Sequence, residues 1–289
     1  MVAAPPDVPA DWPNRALSRG IETPAIRWHL QDSGGAGPML LLLHGAGAST
    51  HSWRDLLPIL GRQRRVIALD LPGQGFSRLR GRDGTGLAEM AAAIRGLIAR
   101  EGWDCAAVVG HSAGAAVALQ LCLDPAPPRA VIGINAALGS FEGVSGLLFP
   151  LMARVLAGTP MTARLFAATA SPARAQRLLA ETGSRIGPEG AALYLRLMRD
   201  AGHVDATLTM MARWRLDALS ARLPSIGLPV LFIVGDDDRA VPARVSVAEA
   251  RRMPRAEVAH MPGLGHLCHE EAPEATCRMI EAFLSRAGV

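Results

Sequence analysis

The sequence contains no lysine, and its four cysteines include no C-x-x-C pair. Arginine therefore supplies all 30 of the basic residues counted as Lys or Arg, and the net charge is +4 at pH 7. The arginines are scattered and do not cluster with aromatic residues, so we expect no nucleic-acid partner. Widely spaced cysteines without a pair motif are typical of reduced packing residues in a cytosolic protein and argue against a zinc site.

Long apolar runs and a targeting segment are also missing. No run of 18 or more apolar residues occurs, so no transmembrane helix is expected. The first residues lack the basic and apolar regions of a signal peptide, which predicts a cytoplasmic protein. Hydrophobic residues nevertheless make up 49% of the chain. That content predicts an apolar ligand or a peripheral contact with a membrane, made through the cap described below.

Short apolar runs alternate with segments of helical period, which predicts a parallel, doubly wound α/β sheet. The runs that predict strands are 26–30, 39–43, 65–69, 106–109, 130–134, 230–234 and 256–261. Residues 137–224 show helical patterns only, so they predict a helical cap over the sheet's functional edge. The resulting domains are an N-terminal arm at 1–20, a core at 21–136 and 225–289, and the cap at 137–224. We expect Trp12 to dock the arm.

Residues 110–114, with the sequence GHSAG, follow one of the buried runs and precede an Ala-rich helical segment. A G-x-S-x-G motif between a strand and a helix is the nucleophile elbow of serine hydrolases. The glycines are required because strand and helix backbones come too close for a side chain. The motif also occurs by chance, with an ordinary turn serine. In the catalytic interpretation Ser112 is the nucleophile.

A serine nucleophile needs a general base and a carboxylate that orients the base. His266 follows the last predicted strand and is the predicted base, while Asp238 follows the strand at 230–234 and is the predicted acid. Asp236 and Asp237 compete with Asp238 for that role. The chain order Ser, Asp, His is the order of α/β-hydrolases.

The developing oxyanion requires two hydrogen-bond donors, for which the backbone amides of Ala46 and Ala113 are predicted. His44 more plausibly shapes the loop that carries Ala46 than acts as a base. No pair of the remaining histidines has metal-ligand spacing with a third ligand, so we predict no metal and no cofactor. A carboxylate nucleophile of halide-displacing enzymes is disfavoured because the elbow presents Ser112.

These motifs together resemble the α/β-hydrolase superfamily over residues 21–289. The resemblance implies a mostly parallel doubly wound sheet with a helical cap inserted after the sixth strand. It also implies an esterase-like enzyme with a Ser-His-Asp triad. One departure is Gln74, since the loop DLPGQGFS at 70–77 usually carries histidine at that position.

A narrower resemblance rests on DWPNR at 11–15, LLLHGAGASTHSWRD at 41–55, PGLGH at 262–266 and two cap segments, LLFPLMAR at 147–154 and TGSR at 182–185. These segments resemble the magnesium-chelatase accessory family (BchO) of bacteriochlorophyll biosynthesis in phototrophic bacteria. The resemblance implies a role in photosynthesis at the magnesium-insertion step, with chelatase subunits as partners and a location at or near the inner or photosynthetic membrane. The ligand would be a small apolar ester or a tetrapyrrole.

The predicted substrate contacts are His44, His51 and Trp53 in the segment 41–55 and Phe149, Met152 and Trp214 in the cap. For the cap residues, ordinary core packing is the competing interpretation. Two alternatives to a catalytic accessory protein stay open: a non-catalytic porphyrin-binding protein on a hydrolase scaffold, and a general carboxylesterase unrelated to pigment synthesis.

Overall fold

The structure is a computed structural model that describes residues 7–81, 84–139 and 160–289. Its centre is one nine-stranded sheet. The strands are β1 Ser18–Glu22, β2 Ile26–Asp32, β3 Met39–Leu43, β4 Arg65–Leu69, β5 Arg78–Leu79, β6 Cys105–His111, β7 Ala130–Ile134, β8 Val230–Gly235 and β9 Ala256–Met261. All seven strands predicted from apolar runs are present, while β1 and the two-residue β5 have no comparable sequence signal.

The sheet order is β1-β2-β4-β3-β6-β7-β8-β9, with β5 beside β2. Strands β1, β2 and β5 pair antiparallel, whereas β4 through β9 along that order pair parallel. The sheet is thus mostly parallel, as the alternation of elements predicts. The helical insertion begins after β7, which is the sixth strand of the main order when the side strand β5 is left out.

Eleven α-helices accompany the sheet in the described residues. They are α1 Leu56–Leu60, α2 Leu87–Glu101, α3 Ala113–Leu121, α4 Pro160–Ala168, α5 Pro172–Glu181, α6 Pro188–Met198, α7 Ala201–Arg213, α8 Asp217–Arg222, α9 Arg244–Ala250, α10 Cys268–Glu271 and α11 Pro273–Arg286. Helices α4 to α8 lie between β7 and β8 in the chain and form the described part of the cap. None of the described helices is long and apolar enough to cross a membrane.

The core lies on both faces of the sheet because successive side chains of a strand point to opposite faces. In β3, Leu41 and Leu43 pack with the cluster that includes α2 and α3. Leu40 and Leu42 pack with the cluster on the other face, which includes α1 and α11. Together the clusters bury the inner parallel strands β3, β4, β6, β7 and β8 almost completely, which explains why those strands appear in the sequence as continuous apolar runs. The edge strand β9 is only partly buried.

The arm packs against both the core and the cap. Trp12 is 2% exposed and lies edge-on to Phe76, in a cluster that also includes Leu197 of α6. Asp11 accepts two hydrogen bonds of 2.8 Å from the guanidinium of Arg196, also on α6. The docking of Trp12 agrees with the sequence prediction. Strand β1 begins at Ser18, inside the segment assigned to the arm.

Candidate active site

The loop between β6 and α3 holds Ser112 in a strained conformation, with φ 50° and ψ −114°. Its amide donates to the carbonyl of Ile134 at 2.9 Å, which fixes the turn against β7. A Cβ on Gly110 would lie 2.3 Å from the carbonyl oxygen of Gly114, and one on Gly114 would lie 2.2 Å from that of Leu43. Backbone strain of this kind persists only where the surroundings enforce it and is concentrated at functional sites.

The structure brings His266 and Asp238 together. His266 Nδ1 donates to Asp238 Oδ2 at 2.7 Å, and the other carboxylate oxygen accepts from the amides of Ala240 and Val241 at 2.8 Å each. These two amides hold the carboxylate in one orientation. The competing Asp236 is exposed and pairs with His260, so Asp238 is the carboxylate that faces the histidine.

Ser112 and His266 are both nearly buried, with exposed fractions of 9% and 8%. Among the described residues, no hydrogen bond joins the Ser112 hydroxyl to His266. Catalytic hydrogen bonds are often long in unliganded enzymes and tighten when substrate binds. The ring of His111, the residue before Ser112, lies 4.7 Å from that of His266, and the proposed chemistry requires His266 to form a hydrogen bond to Ser112 when substrate binds.

The amides predicted as oxyanion donors lie on two loops that meet at the elbow. Ala113 is the first residue of α3, where helix geometry leaves the amide without an intrahelical acceptor. Neither its N–H nor that of Ala46 has an acceptor within the described residues. A Cβ on Gly45 would lie 3.1 Å from the Cβ of Ser112, so the two loops are in close contact.

The loop that carries Ala46 is held by two side chains that sequence reasoning did not assign to it. Gln74 Oε1 accepts from the amide of Gly47 at 2.9 Å. His203, on cap helix α7, donates from Nε2 to the carbonyl of Gly47 at 3.2 Å and accepts at Nδ1 from the amide of Gly75 at 2.9 Å. Burial, with a smaller effect of His44, lowers the pKa of His203 to about 4, so the ring stays neutral.

His44 has a supporting role behind this loop. Its Nδ1 donates to the carbonyl of Gly45 at 2.7 Å, and its Nε2 accepts from the amide of Leu71 at 2.9 Å. Both nitrogens are therefore used, and burial lowers the pKa of the ring. The neighbouring Asp70 is completely buried. Burial alone would raise the pKa of its carboxyl, but His29 and His44 outweigh burial and lower it.

Asn135 joins three segments of the site and had no place in the sequence prediction. Its Nδ2 donates to the carbonyls of Gly265 at 3.1 Å and His266 at 2.7 Å, and its Oδ1 accepts from the amide of Gly235 at 2.8 Å. It follows β7 directly, has φ 45° and is 1% exposed. An asparagine at the carboxyl end of a strand is the signal that could have indicated this role.

His111 supports His266 from the elbow itself. Its Nε2 donates to the carbonyl of His266 at 2.9 Å, and the two ring centroids are 4.7 Å apart. On its other side the ring packs against His269 at 4.5 Å. Burial, with His269 and His266, holds the pKa of His111 well below its ordinary value. A neutral ring therefore backs His266.

A buried network of hydrogen bonds connects this stack to the cap. Ser52 donates to Glu270 at 2.7 Å and accepts from His269 Nε2 at 2.8 Å. Glu270 also accepts from Arg54 at 2.5 Å and from the hydroxyl of Tyr194 on α6. Burial raises the pKa of the Glu270 carboxyl, although Arg54 lowers it.

The residues that follow α5 bind directly to the loops of the acid and the base. The carbonyl of Thr182 accepts from the amides of Arg239 at 3.1 Å and His266 at 3.3 Å. Ser184 accepts from the amide of Leu267 at 2.9 Å. Gly183 has φ +85°, and a Cβ there would lie 2.1 Å from a backbone carbonyl oxygen. The cap thus fixes the positions of the loops that carry Asp238 and His266.

The predicted substrate contacts are placed very differently from one another. His44, His51 and Trp53 are 0% exposed, so their burial corrects that assignment. Trp53 packs in the core cluster opposite α2 and α3, and His51 packs edge-on against Tyr194 at 4.5 Å. Half-buried Trp214 packs at the edge of the main core cluster. The other two, Phe149 and Met152, lie outside the described residues.

The described residues contain no cluster of three His, Cys, Asp or Glu side chains that could hold a metal ion. All four cysteines have free thiols. Within residues 7–81, 84–139 and 160–289, the candidate functional site is therefore the group of side chains and amides around Ser112. This arrangement is suited to nucleophilic attack on a carbonyl group followed by acyl transfer to water.

The chain matches known proteins over most of its length. A family model described as alpha/beta hydrolase fold matches residues 38–273. The magnesium-chelatase 30 kDa subunit of Rhodobacter capsulatus is 48% identical over 282 residues, which are 97% of this chain and 99% of that protein. The dihydrolipoyllysine-residue acetyltransferase component of the acetoin cleaving system of Pseudomonas putida is 32% identical, covering 90% of this chain and 67% of that protein.

Solved structures show the same architecture. An epoxide hydrolase without ligand superimposes with a TM-score of 0.79, covering 93% of this chain and 98% of that chain at 21% identity. At that identity the likeness concerns the fold alone. It agrees with the fold predicted from the order of strands and helices.

Proposed function

The chain belongs to the alpha/beta hydrolase fold family and, within it, to the relatives of the magnesium-chelatase 30 kDa subunit, and we propose on that premise that it is a serine hydrolase. The observation that carries the proposal is the 2.7 Å bond between His266 and Asp238 beside the strained Ser112. A carboxylate fixed by two amides has no evident packing function there. It orients a base toward a nucleophile.

The proposed reaction is hydrolysis of an ester through an acyl-enzyme. Ser112 Oγ attacks the carbonyl carbon while its proton passes to Nε2 of His266, and Asp238 stabilises the resulting imidazolium. The amides of Ala46 and Ala113 donate hydrogen bonds to the oxyanion. His266 then gives the proton to the leaving alcohol, and water repeats the same steps on the acyl-enzyme to release the acid and restore Ser112.

The two oxyanion donors contribute to catalysis by stabilising the transition state. One such donor contributes roughly 3 to 4 kcal/mol to the stabilisation of the transition state. Gln74 and His203 hold the loop of Ala46 through Gly47, so the amide does not reorganise during the reaction. Preorganised donors of this kind are usually the largest single contribution to acyl transfer.

The proposed substrate is a small to medium, largely apolar ester. The nucleophile is 9% exposed, so an ester that reaches it loses most of its hydration. Small side chains line the elbow, since Ala46 and Ala113 flank Ser112. Met210 on α7 is 1% exposed and contacts the amide of Gln74, which adds an apolar wall near that loop.

The test uses the full chain and p-nitrophenyl butyrate. Ser112→Ala is expected to lower kcat/KM by ~10⁴-fold or more, and Asp238→Asn by about 10⁴-fold, because the base loses its orientation. Ser225→Ala, an exposed serine far along the chain, serves as the matched control and should leave kcat/KM unchanged. Equal activity of wild type and Ser112→Ala would contradict the proposed nucleophile.

The biological setting that we propose is an accessory role at magnesium chelatase, with chelatase subunits as partners. Its support is the 48% identity to a protein named as a chelatase subunit. Pigment synthesis in a strain that lacks this protein tests the role. Wild-type chain should restore synthesis, and Ser112→Ala should not. Failure of the wild type would indicate a carboxylesterase unrelated to pigment synthesis.

A second candidate is a porphyrin-binding accessory protein that keeps the hydrolase scaffold without using it. The identity to a chelatase subunit favours it as well, as do the half-buried Met211 and Trp214 beside the main core cluster. Titration with protoporphyrin, followed by quenching of tryptophan fluorescence, should then saturate in the micromolar range. Restoration of pigment synthesis by Ser112→Ala, together with saturable binding, would select this candidate.

A further inference from the structure

Two consecutive cap helices present large apolar side chains to solvent. The exposed large hydrophobic residues of the described chain are Met161 at 67%, Leu165 at 64% and Leu178 at 41%. Met161 and Leu165 lie one turn apart on α4, and Leu178 lies on α5. We call the exposed sides of these two helices the α4–α5 face. Exposed apolar residues concentrated in this way mark an interaction surface.

Helix α4 buries small side chains and exposes large apolar ones, which is the reverse of an ordinary surface helix. Its buried positions include the small residues Ala163 and Ala167, at 1% and 9% exposure. The exposed stripe carries Met161, Arg164 and Leu165, which are spaced to share one side of the helix. A helix that packs on its neighbours through alanine and directs leucine and methionine outward is suited to insertion into an apolar environment.

The charge of this region is one-sided. No Asp or Glu occurs from residue 143 to residue 180, although the whole chain contains 26 of them. The same stretch contains Arg154, Arg164, Arg174 and Arg177. The three that the structure describes, Arg164, Arg174 and Arg177, are exposed. Between residues 160 and 180 the two helices combine exposed leucine and arginine and carry no acidic residue, and Glu181 comes only at the end of α5. This composition is complementary to anionic lipid headgroups over acyl chains.

Arg174 connects the two helices at their outer sides. Its guanidinium lies 4.7 Å from the centroid of the Phe166 ring and donates to Thr169 Oγ1 at 2.8 Å. Arg174 also borders a shallow recess with Arg177 and Leu178. Arginine and leucine of α5 are thus adjacent to the exposed stripe of α4, and the face is continuous.

We propose that the α4–α5 face docks this protein on the surface of an anionic lipid bilayer, with Met161, Leu165 and Leu178 at the acyl boundary and the arginines on lipid phosphates. The contact is peripheral. The α4–α5 face is also connected to the candidate active site, because α5 ends at Glu181 and the carbonyl of the next residue, Thr182, accepts from the amide of His266. The proposal does not depend on hydrolysis, so Ser112→Ala protein should dock as the wild type does.

Co-sedimentation of the full chain with lipid vesicles tests the proposal. Vesicles of phosphatidylcholine with one quarter phosphatidylglycerol should bind the protein, with an affinity that falls as salt rises, and pure phosphatidylcholine should bind it far more weakly. Arg164→Gln/Arg177→Gln should lower the partition coefficient ~25-fold, at about fivefold for each arginine. Leu165→Gln/Leu178→Gln should lower it on both kinds of vesicle.

Arg62→Gln/Arg255→Gln is the matched control, because it removes the same charge from exposed positions on the core. It should lower binding less than twofold. All substituted residues are exposed, and an unchanged thermal unfolding midpoint will verify the fold of each variant. Equal loss in the control pair, or wild-type protein that does not prefer anionic vesicles, would overturn the proposal. Variants that lose a protein partner while keeping vesicle binding would identify a protein-docking face and also overturn it.

Discussion

Asn135 offers a sharp test of how the site is held together. Replacing it with alanine removes the acceptor of the Gly235 amide and the donor to the Gly265 carbonyl. Both backbone groups are then left without that partner in a region where the side chain is 1% exposed. The carbonyl of His266 keeps its second bond, from His111.

The expected loss follows from these two groups. A buried polar group that loses its partner costs roughly 1 to 3 kcal/mol, so Asn135→Ala should lower the free energy of unfolding by about 4 kcal/mol. Asn14 provides the control. It also has a positive φ, 55°, and makes one hydrogen bond to the carbonyl of Arg54 at 2.9 Å. Asn14→Ala should cost only about 1 kcal/mol, because that site is half exposed.

Urea unfolding followed by tryptophan fluorescence measures both variants at pH 7. Because both asparagines have left-handed backbones, the backbone preference of asparagine cancels in the comparison. The loss of free energy in Asn135→Ala should exceed that in Asn14→Ala by about 3 kcal/mol. A difference below ~1 kcal/mol would refute the reasoning, since it would mean that Asn135 does not carry the connection between the strand ends and the loop of His266.

Three further predictions concern packing, the network and pH. A Cβ on Gly114 would lie 2.2 Å from a backbone oxygen, so Gly114→Ala should prevent soluble expression. A Cβ on helical Gly96 meets nothing within 4 Å, so Gly96→Ala should raise the free energy of unfolding by about 1 kcal/mol. Tyr194→Phe removes a hydrogen-bond donor to buried Glu270 and should lower the free energy of unfolding, measured in urea, by ~1–3 kcal/mol. Because the pKa of His203 is about 4 in the folded protein against 6.5 for a free histidine, the unfolded chain binds more protons between those values, and wild-type stability decreases as the pH is lowered through this range. His203→Gln should be less stable at pH 7, with the gap narrowing toward pH 4, and a gap independent of pH would contradict the neutral ring.

The order of elements and the pairing of His266 with Asp238 were predictable because they have local signals. Buried parallel strands require continuous apolar runs, and a sharp turn between strand and helix requires glycine on both sides of Ser112. The predicted partner of His266, Asp238, follows β8 directly, and the structure places its carboxylate 2.7 Å from the ring. In each case neighbours in the chain determine the feature.

The supporting contacts could not be predicted, because they join distant segments. Ser52 and Glu270 are 218 residues apart in the chain, and no periodic pattern records such a pair. Trp53 illustrates the opposite error. An aromatic residue close to the loop of His44 suggested a substrate contact, but its short helix turns the ring into the core, where it is 0% exposed.

The central claim is that Ser112 is an activated nucleophile, and covalent labelling tests it most directly. The full chain is treated with a fluorophosphonate probe and analysed by intact mass and peptide mapping. The account predicts one adduct per chain, located on Ser112, and none on Ser112→Ala. Folded wild-type protein that carries no adduct on Ser112 would contradict it.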